Sequence, residues 1–217
     1  MKHWWKILAV ALLIYTIIAG FLGTVPALPI LHESIRNLYF HVTMWFGMMI
    51  LLTVSVVYSI KYLASSDINH DIVAEESAKV GMLFGLLGLI TGSLWARFTW
   101  GAWWVNDAKL NGAAVTMLIY LAYMVLRNSM DEEQKTARVS AVYSIFAYTM
   151  MLVFLMILPR MTVSLHPGNG GNPGFSSYDL DKNMRMIFYP AIIGWTLLGV
   201  WMMTIRIRIH KLLKRKL

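Results

Sequence analysis

The sequence predicts an all-α integral membrane protein: a six-transmembrane-helix bundle with both termini cytoplasmic and a tryptophan-rich outer loop. Three observations carry that prediction. The chain is 58% hydrophobic and only 14% charged, with a mean hydropathy of +0.60, whereas soluble domains run at roughly half apolar and about a quarter charged. Its apolar runs, separated by short polar breaks, have room for about six spans of roughly 20 residues each and for little else. Thirteen of the 19 Lys and Arg residues fall on one side of the spans so drawn, and six on the other.

Taken in order, the apolar runs place helices at about 5–23, 39–63, 79–98, 112–127, 138–158 and 184–206 of a single transmembrane domain, 1–217. The first run follows a basic start, MKHWWK, so a cleaved signal peptide ending near Val25-Pro26-Ala27 is the alternative to a helix. A run long enough to span and the flanking prolines favour a retained helix. In the third helix Gly81, Gly85, Gly88 and Gly92 fall at spacings of four, three and four. They share one face, where another backbone can approach closely, so this helix is expected at the centre of the bundle. The last helix runs into RIRIHKLLKRKL, whose charge answers to orientation and anionic membrane lipid rather than to nucleic acid.

Positive residues inside assign both termini to the cytoplasm. The connections at 24–38, 97–111 and 159–183 then emerge together on the outer face. The absence of cysteine excludes a disulfide framework, a thiolate metal site, haem attached through thioethers and a cysteine nucleophile. The spans hold few ionisable residues and no obvious acidic relay, which argues against a proton-coupled transporter. No nucleotide-binding loop is present, so any ATP-driven step belongs to other subunits.

Two histidines on the outer side are candidate ligands. His41 in LYFHVTMWFGM lies about one turn into the second helix, with Trp45 four residues on along the same face. It reads either as an interfacial residue or as a ligand. His166 in LPRMTVSLHPGNGGNPGF precedes a glycine-rich run that cannot hold regular structure and can fold over the surface as a lid. His3, His70 and His210 read as surface residues on the inner side. His32 lies on the outer side beside Glu33, Ser34 and Arg36, which look like an interfacial helix.

Between the third and fourth helices runs RFTWGAWWVNDAKLNG. An aromatic belt explains one or two indoles at an interface, but not three, Trp100, Trp103 and Trp104, framed by Gly101 and followed by Asn106, Asp107 and Lys109. Indole faces suit a planar ligand, and indole N–H groups with Lys109 and Arg97 suit its carboxylates. A ligand that is flat, apolar in the middle, anionic at one edge and able to accept axial imidazoles is haem. Asp107 has two readings beside this: a cap or Lys109 partner at the start of the fourth helix, or a contact for a partner protein.

WGAWWVNDAKL resembles the tryptophan-rich WWD motif of the CcmC/CcsA superfamily, haem-handling proteins of cytochrome c biogenesis, whose pattern is approximately W-G-x-x-W-x-W-D-x-[RK]-[LE]. The resemblance covers essentially the whole chain: six spans, the motif at 97–111, one histidine before it and one after. In size and order it is nearest the CcmC-type branch. It implies a haem carrier rather than an enzyme, in the bacterial cytoplasmic (inner) membrane, with a non-covalent haem b site on the periplasmic side. His41 and His166 become the axial ligands of the haem iron, and Trp100, Gly101, Trp103, Trp104, Asp107 and Lys109 its platform. The implied partners are a periplasmic haem chaperone and ATP-driven transporter subunits. Asn106 stands where the pattern has its second tryptophan, Lys109 where the CcmC-type branch has arginine, and Asn111 where it has threonine. The rival reading is a b-type cytochrome subunit of a membrane quinone oxidoreductase. Such subunits place both ligands inside facing helices, whereas His166 sits in a loop.

Overall fold

A computed structural model describes residues 3–166 and 180–214. Its elements are α1 (Trp4–Leu22), a 3₁₀ helix (His32–Asn37), α2 (Leu38–Ser65), α3 (Ile68–Trp100), α4 (Ala108–Asn128), α5 (Glu133–Leu152), a π-helical turn (Val153–Ile157), the short α6 (Leu158–Met161) and α7 (Lys182–Lys214). Six helical stretches are long and apolar enough to cross a membrane, with α5, the π turn and α6 forming one of them.

The glycine face of α3 packs along α2. A Cβ at Gly81, Gly85, Gly88 or Gly92 would stand 2.9 Å from Leu52, 2.8 Å from Met48, 2.8 Å from Trp45 and 2.5 Å from His41 respectively. The partner positions descend as the glycines ascend, the register of antiparallel helices. Close packing of this kind takes the place of the hydrophobic effect as the cohesive force between helices in lipid. The core built on this seam contains Met44, Met48, Leu51, Leu52, Phe84, Tyr120, Tyr123 and Met151, and the central place expected of α3 falls to its partner α2, which packs on α3, α5 and α7. A second core, with Leu28, Ile35, Tyr39, Leu180, Met184 and Phe188, closes the end of the bundle that carries His41.

Pro190 interrupts the α7 hydrogen-bond ladder because it has no N–H for the Met186 carbonyl four residues back. Tyr15 of α1 supplies a donor instead, Tyr15 Oη to Met186 O at 3.3 Å. The peripheral α1 is thereby tied to α7 by a group that lipid cannot provide.

Several helices exceed the lengths that hydropathy assigns. The third starts at Ile68, not near 79, because Asp67 caps it, accepting from the Asn69 amide at 2.9 Å. Its charged first turns then stay helical because every charge has a partner. Arg127 of α4 bonds Asp71 and, at 2.9 Å, Glu75. Arg206 and His210 of α7 bond Glu76 at 2.6 and 3.1 Å. Lys79 meets Glu75 and Glu76 at 2.7 and 3.0 Å. Asp71, Glu75, Glu76 and Arg127 are all buried, so His210, expected as a surface residue, is half-buried against a packed ionic network. The same partners extend α7 to Lys214. The fifth span starts at Glu133, not 138, and the segment expected as a loop from 159 begins helical, through Met161. Of that expected lid, 167–179 lie outside the described residues.

Candidate functional site

His41 sits on the first turn of α2, facing α3 at the point where Gly92 leaves room for its ring. Its Nδ1 is 3.0 Å from the Gly88 carbonyl and 3.2 Å from Thr91 Oγ1. A carbonyl only accepts, so Nδ1 carries the proton and donates, which makes Nε2 the lone-pair nitrogen. Thr91 Oγ1 itself donates to Leu87 O at 2.7 Å and can therefore accept from His41. Two indoles flank the imidazole edge-on, Trp45 at 6.2 Å and Trp95 at 5.8 Å between ring centroids. Trp95 is held in turn by Ser34 of the 3₁₀ helix, Nε1 to Oγ at 3.0 Å.

Gly101 ends α3 with φ +78°, a left-handed cap that glycine adopts without steric penalty. Arg97 donates to the Gly101 carbonyl, and Ser93 Oγ donates to Trp103 O at 2.7 Å. The non-helical part of the tryptophan stretch is thus confined to 101–107. Trp103 and Trp104 are 59% and 43% exposed, so both present indole surface outward, and Trp100 is half-buried. Two of the three departures from the motif answer each other: Asn111 Nδ2 donates to Asn106 Oδ1 at 2.7 Å and its Oδ1 accepts from Trp104 Nε1 at 3.3 Å.

Asp107 is buried, with a side chain 1% exposed. It caps α4, accepting from the Lys109 amide at 2.9 Å, and holds the chain beyond α6. Its Oδ2 accepts from Ser164 Oγ at 2.9 Å and the Leu165 amide at 2.8 Å, and its Oδ1 lies 3.0 Å from His166 Nδ1. Burial alone would raise its pKa, but these hydrogen bonds and the His166 charge hold it below the usual carboxylate range. A carboxylate on Nδ1 orients an imidazole so that Nε2 is its coordinating atom, the arrangement that supports many metal-bound histidines. His166 also meets Trp100 edge-on at 4.9 Å, and burial, opposed by Asp107, pushes its pKa below the ordinary histidine value. The capping reading of Asp107 therefore stands, and its side chain is covered by 164–166.

The two histidines, 125 positions apart by their numbers, lie within electrostatic range of each other. Lys109 is half-buried in the first turn of α4, within electrostatic range of His166. The other histidines differ. His70 is bonded to Ser65 at 3.0 Å and His210 to Glu76, both at the opposite end of the bundle, and His32 is exposed.

A family model described as CcmC, heme exporter protein C, matches residues 1–217. The chain belongs to the heme exporter protein C family. Its similarity to curated members is low but extended. It is 28% identical to heme exporter protein C of Escherichia coli K12 over 217 residues, covering 98% of this chain and 84% of that protein. The Bradyrhizobium diazoefficiens protein of the same name is 30% identical over 146 residues, or 67% of this chain. That of Haemophilus influenzae is 27% identical over 140 residues, or 62% of this chain. The matched stretch spans 54% of each of these last two proteins.

The packing around the two histidines brings in residues that a sequence reading passes over. Thr91 and Trp95 lie against His41, and Ser164 lies beside His166, yet none has a composition or spacing that marks it. The one available signal is the glycine face itself, whose last two members meet His41, Gly88 through its carbonyl and Gly92 by leaving room for the ring.

Proposed function

We propose that the protein is a haem carrier of the bacterial cytoplasmic membrane. It binds haem b non-covalently at the outer face and delivers it to a periplasmic haem chaperone during c-type cytochrome maturation. The observation that carries this reading is the matched state of His41 and His166. Each Nδ1 is committed to an acceptor, Gly88 O or Asp107, so each imidazole has Nε2 as the atom for iron. The family's name, heme exporter protein C, supports haem as the cargo.

When bound, haem supplies an iron with two axial positions, and two neutral imidazoles would fill both and keep oxygen from binding. The chain's own residues do the rest. His41, wedged between α2 and α3, is the anchoring ligand. His166, on the 162–166 segment held by Asp107, is the ligand that leaves. Trp100, Trp103 and Trp104 with Gly101 form the ledge for the macrocycle, and Lys109 offers positive charge to its carboxylates. A tenfold bias in handover requires only about 1.4 kcal/mol of differential affinity. This suits a carrier associated with ATP-driven transporter subunits better than an enzyme.

The test is the visible spectrum of protein purified in detergent. A bis-imidazole Soret spectrum is expected for the parent. His41→Ala should abolish bound haem and His166→Ala should weaken or alter it. A His41/His166 double variant that keeps full haem with the parent spectrum overturns the assignment.

A further inference from the structure

The helix that leads to His166 changes its winding just before it ends. Val153–Ile157 form a π turn, with the Leu158 amide donating to Val153 O, five residues back. The next bond of that ladder would run from residue 159 to Phe154 O, but residue 159 is proline and has no N–H. In an α-helical ladder the same proline would have left Leu155 O without its donor. The proline and the π turn are therefore linked, and the turn sets the direction in which α6 and the segment after it leave the bundle. Single π turns inside α-helices are common at functional sites.

Phe154 O meets Gly112 of α4. A Cβ on Gly112 would stand 2.4 Å from that carbonyl oxygen, so only glycine allows the two backbones to approach this closely. A contact of this kind is made by the glycine Cα–H groups, weak donors that suit a carbonyl lacking its ladder partner. Gly112 lies on the same helix as Asp107, five residues further on. The chain from Phe154 to His166 thus touches α4 at two heights: Phe154 on Gly112, then Ser164, Leu165 and His166 on Asp107.

We propose that Gly112 and Pro159 are positioning residues for His166. The glycine sets how near the fifth span stands to α4, the proline holds the π turn, and together they bring the 164–166 segment into register with Asp107. This inference rests on the haem reading above for its consequence, but its geometry can be tested without haem.

Full-length Gly112→Ala and Pro159→Ala are compared with the parent and with His166→Ala. The haem-free readout is exchange of the Leu165 amide, which donates to Asp107. It is expected to accelerate at least tenfold in both variants, while amides in the α2–α3 seam keep their protection. With haem, both variants should retain the cofactor through His41 but lose the bis-imidazole signature, as His166→Ala does. Unchanged Leu165 exchange in both variants overturns the positioning role, as does loss of protection throughout the bundle in both. If Leu165 exchange accelerates but His166→Ala itself leaves the spectrum untouched, the haem reading fails and the junction stands.

Discussion

At the residue scale, Asp107 concentrates the most work in one side chain. It caps α4, anchors Ser164 and Leu165 and orients His166 with two oxygens. Asp107→Ala removes all of these, and loss of the cap alone costs about 1 kcal/mol. Asp107→Asn keeps one carbonyl oxygen but turns the other acceptor into a donor that faces donors. We expect Asp107→Asn to weaken haem affinity by about 10–100-fold, the usual effect of removing the carboxylate behind a metal-bound histidine, measured by titration of the apo protein. Acid should act at the same place. The docked His166 has a pKa below the ordinary 6.5, so the undocked segment takes up the proton first. Docking is at full strength above pH 6.5 and weakens as pH falls below it. Asp107, held below its usual range, stays ionised through that window. The protection factor of the Leu165 amide in the haem-free protein, its exchange rate compared with the intrinsic rate at the same pH, should therefore fall below pH 6.5, by up to about tenfold per pH unit for one proton.

At the element scale, the α2–α3 seam and the ionic network at the other end of the bundle call for opposite kinds of substitution. The seam is steric. Gly88→Leu would drive a side chain into Trp45, which lies 2.8 Å from the Cβ position, and overpacking of this kind costs about 1–3 kcal/mol. Because Trp45 and the Gly88 carbonyl both contact His41, haem retention should fall with stability. The network is electrostatic. Arg127→Met leaves Asp71 buried without its cation and Glu75 with Lys79 alone, and should destabilise the protein by about 3–5 kcal/mol, read as a lower midpoint of thermal unfolding in detergent. Replacing Asp71, Glu75 and Arg127 together with apolar residues of similar volume should recover most of that loss. Haem binding should survive both changes in protein that remains folded, since the network lies at the end away from His41.

At the scale of the whole molecule, the six spans and the close-packed glycine face of α3 were legible because apolar length and glycine spacing are local properties of the chain. The true extents of α3 and α7 were not. Hydropathy counts Asp71, Glu75, Glu76 and Arg206 as ends of spans, and only their pairing across helices keeps them inside. The site divides in the same way. His41, His166 and the tryptophan stretch stand out by residue type, whereas Thr91, Ser164 and the acceptor role of the Gly88 carbonyl emerge only from the packing. The remaining whole-molecule question is which end faces out, and the distribution of Lys and Arg predicts it. The chain has no cysteine, so single cysteines report without background. Val163, 98% exposed, lies beside His166, and Asp131 is exposed in the α4–α5 connection at the opposite end. A membrane-impermeant maleimide should modify the V163C variant in cells whose outer membrane alone has been opened, and the D131C variant only after the inner membrane is lysed. The reverse pattern would put His41, His166 and the indole ledge on the cytoplasmic side, where no periplasmic acceptor could reach them, and the delivery reading would fail with it.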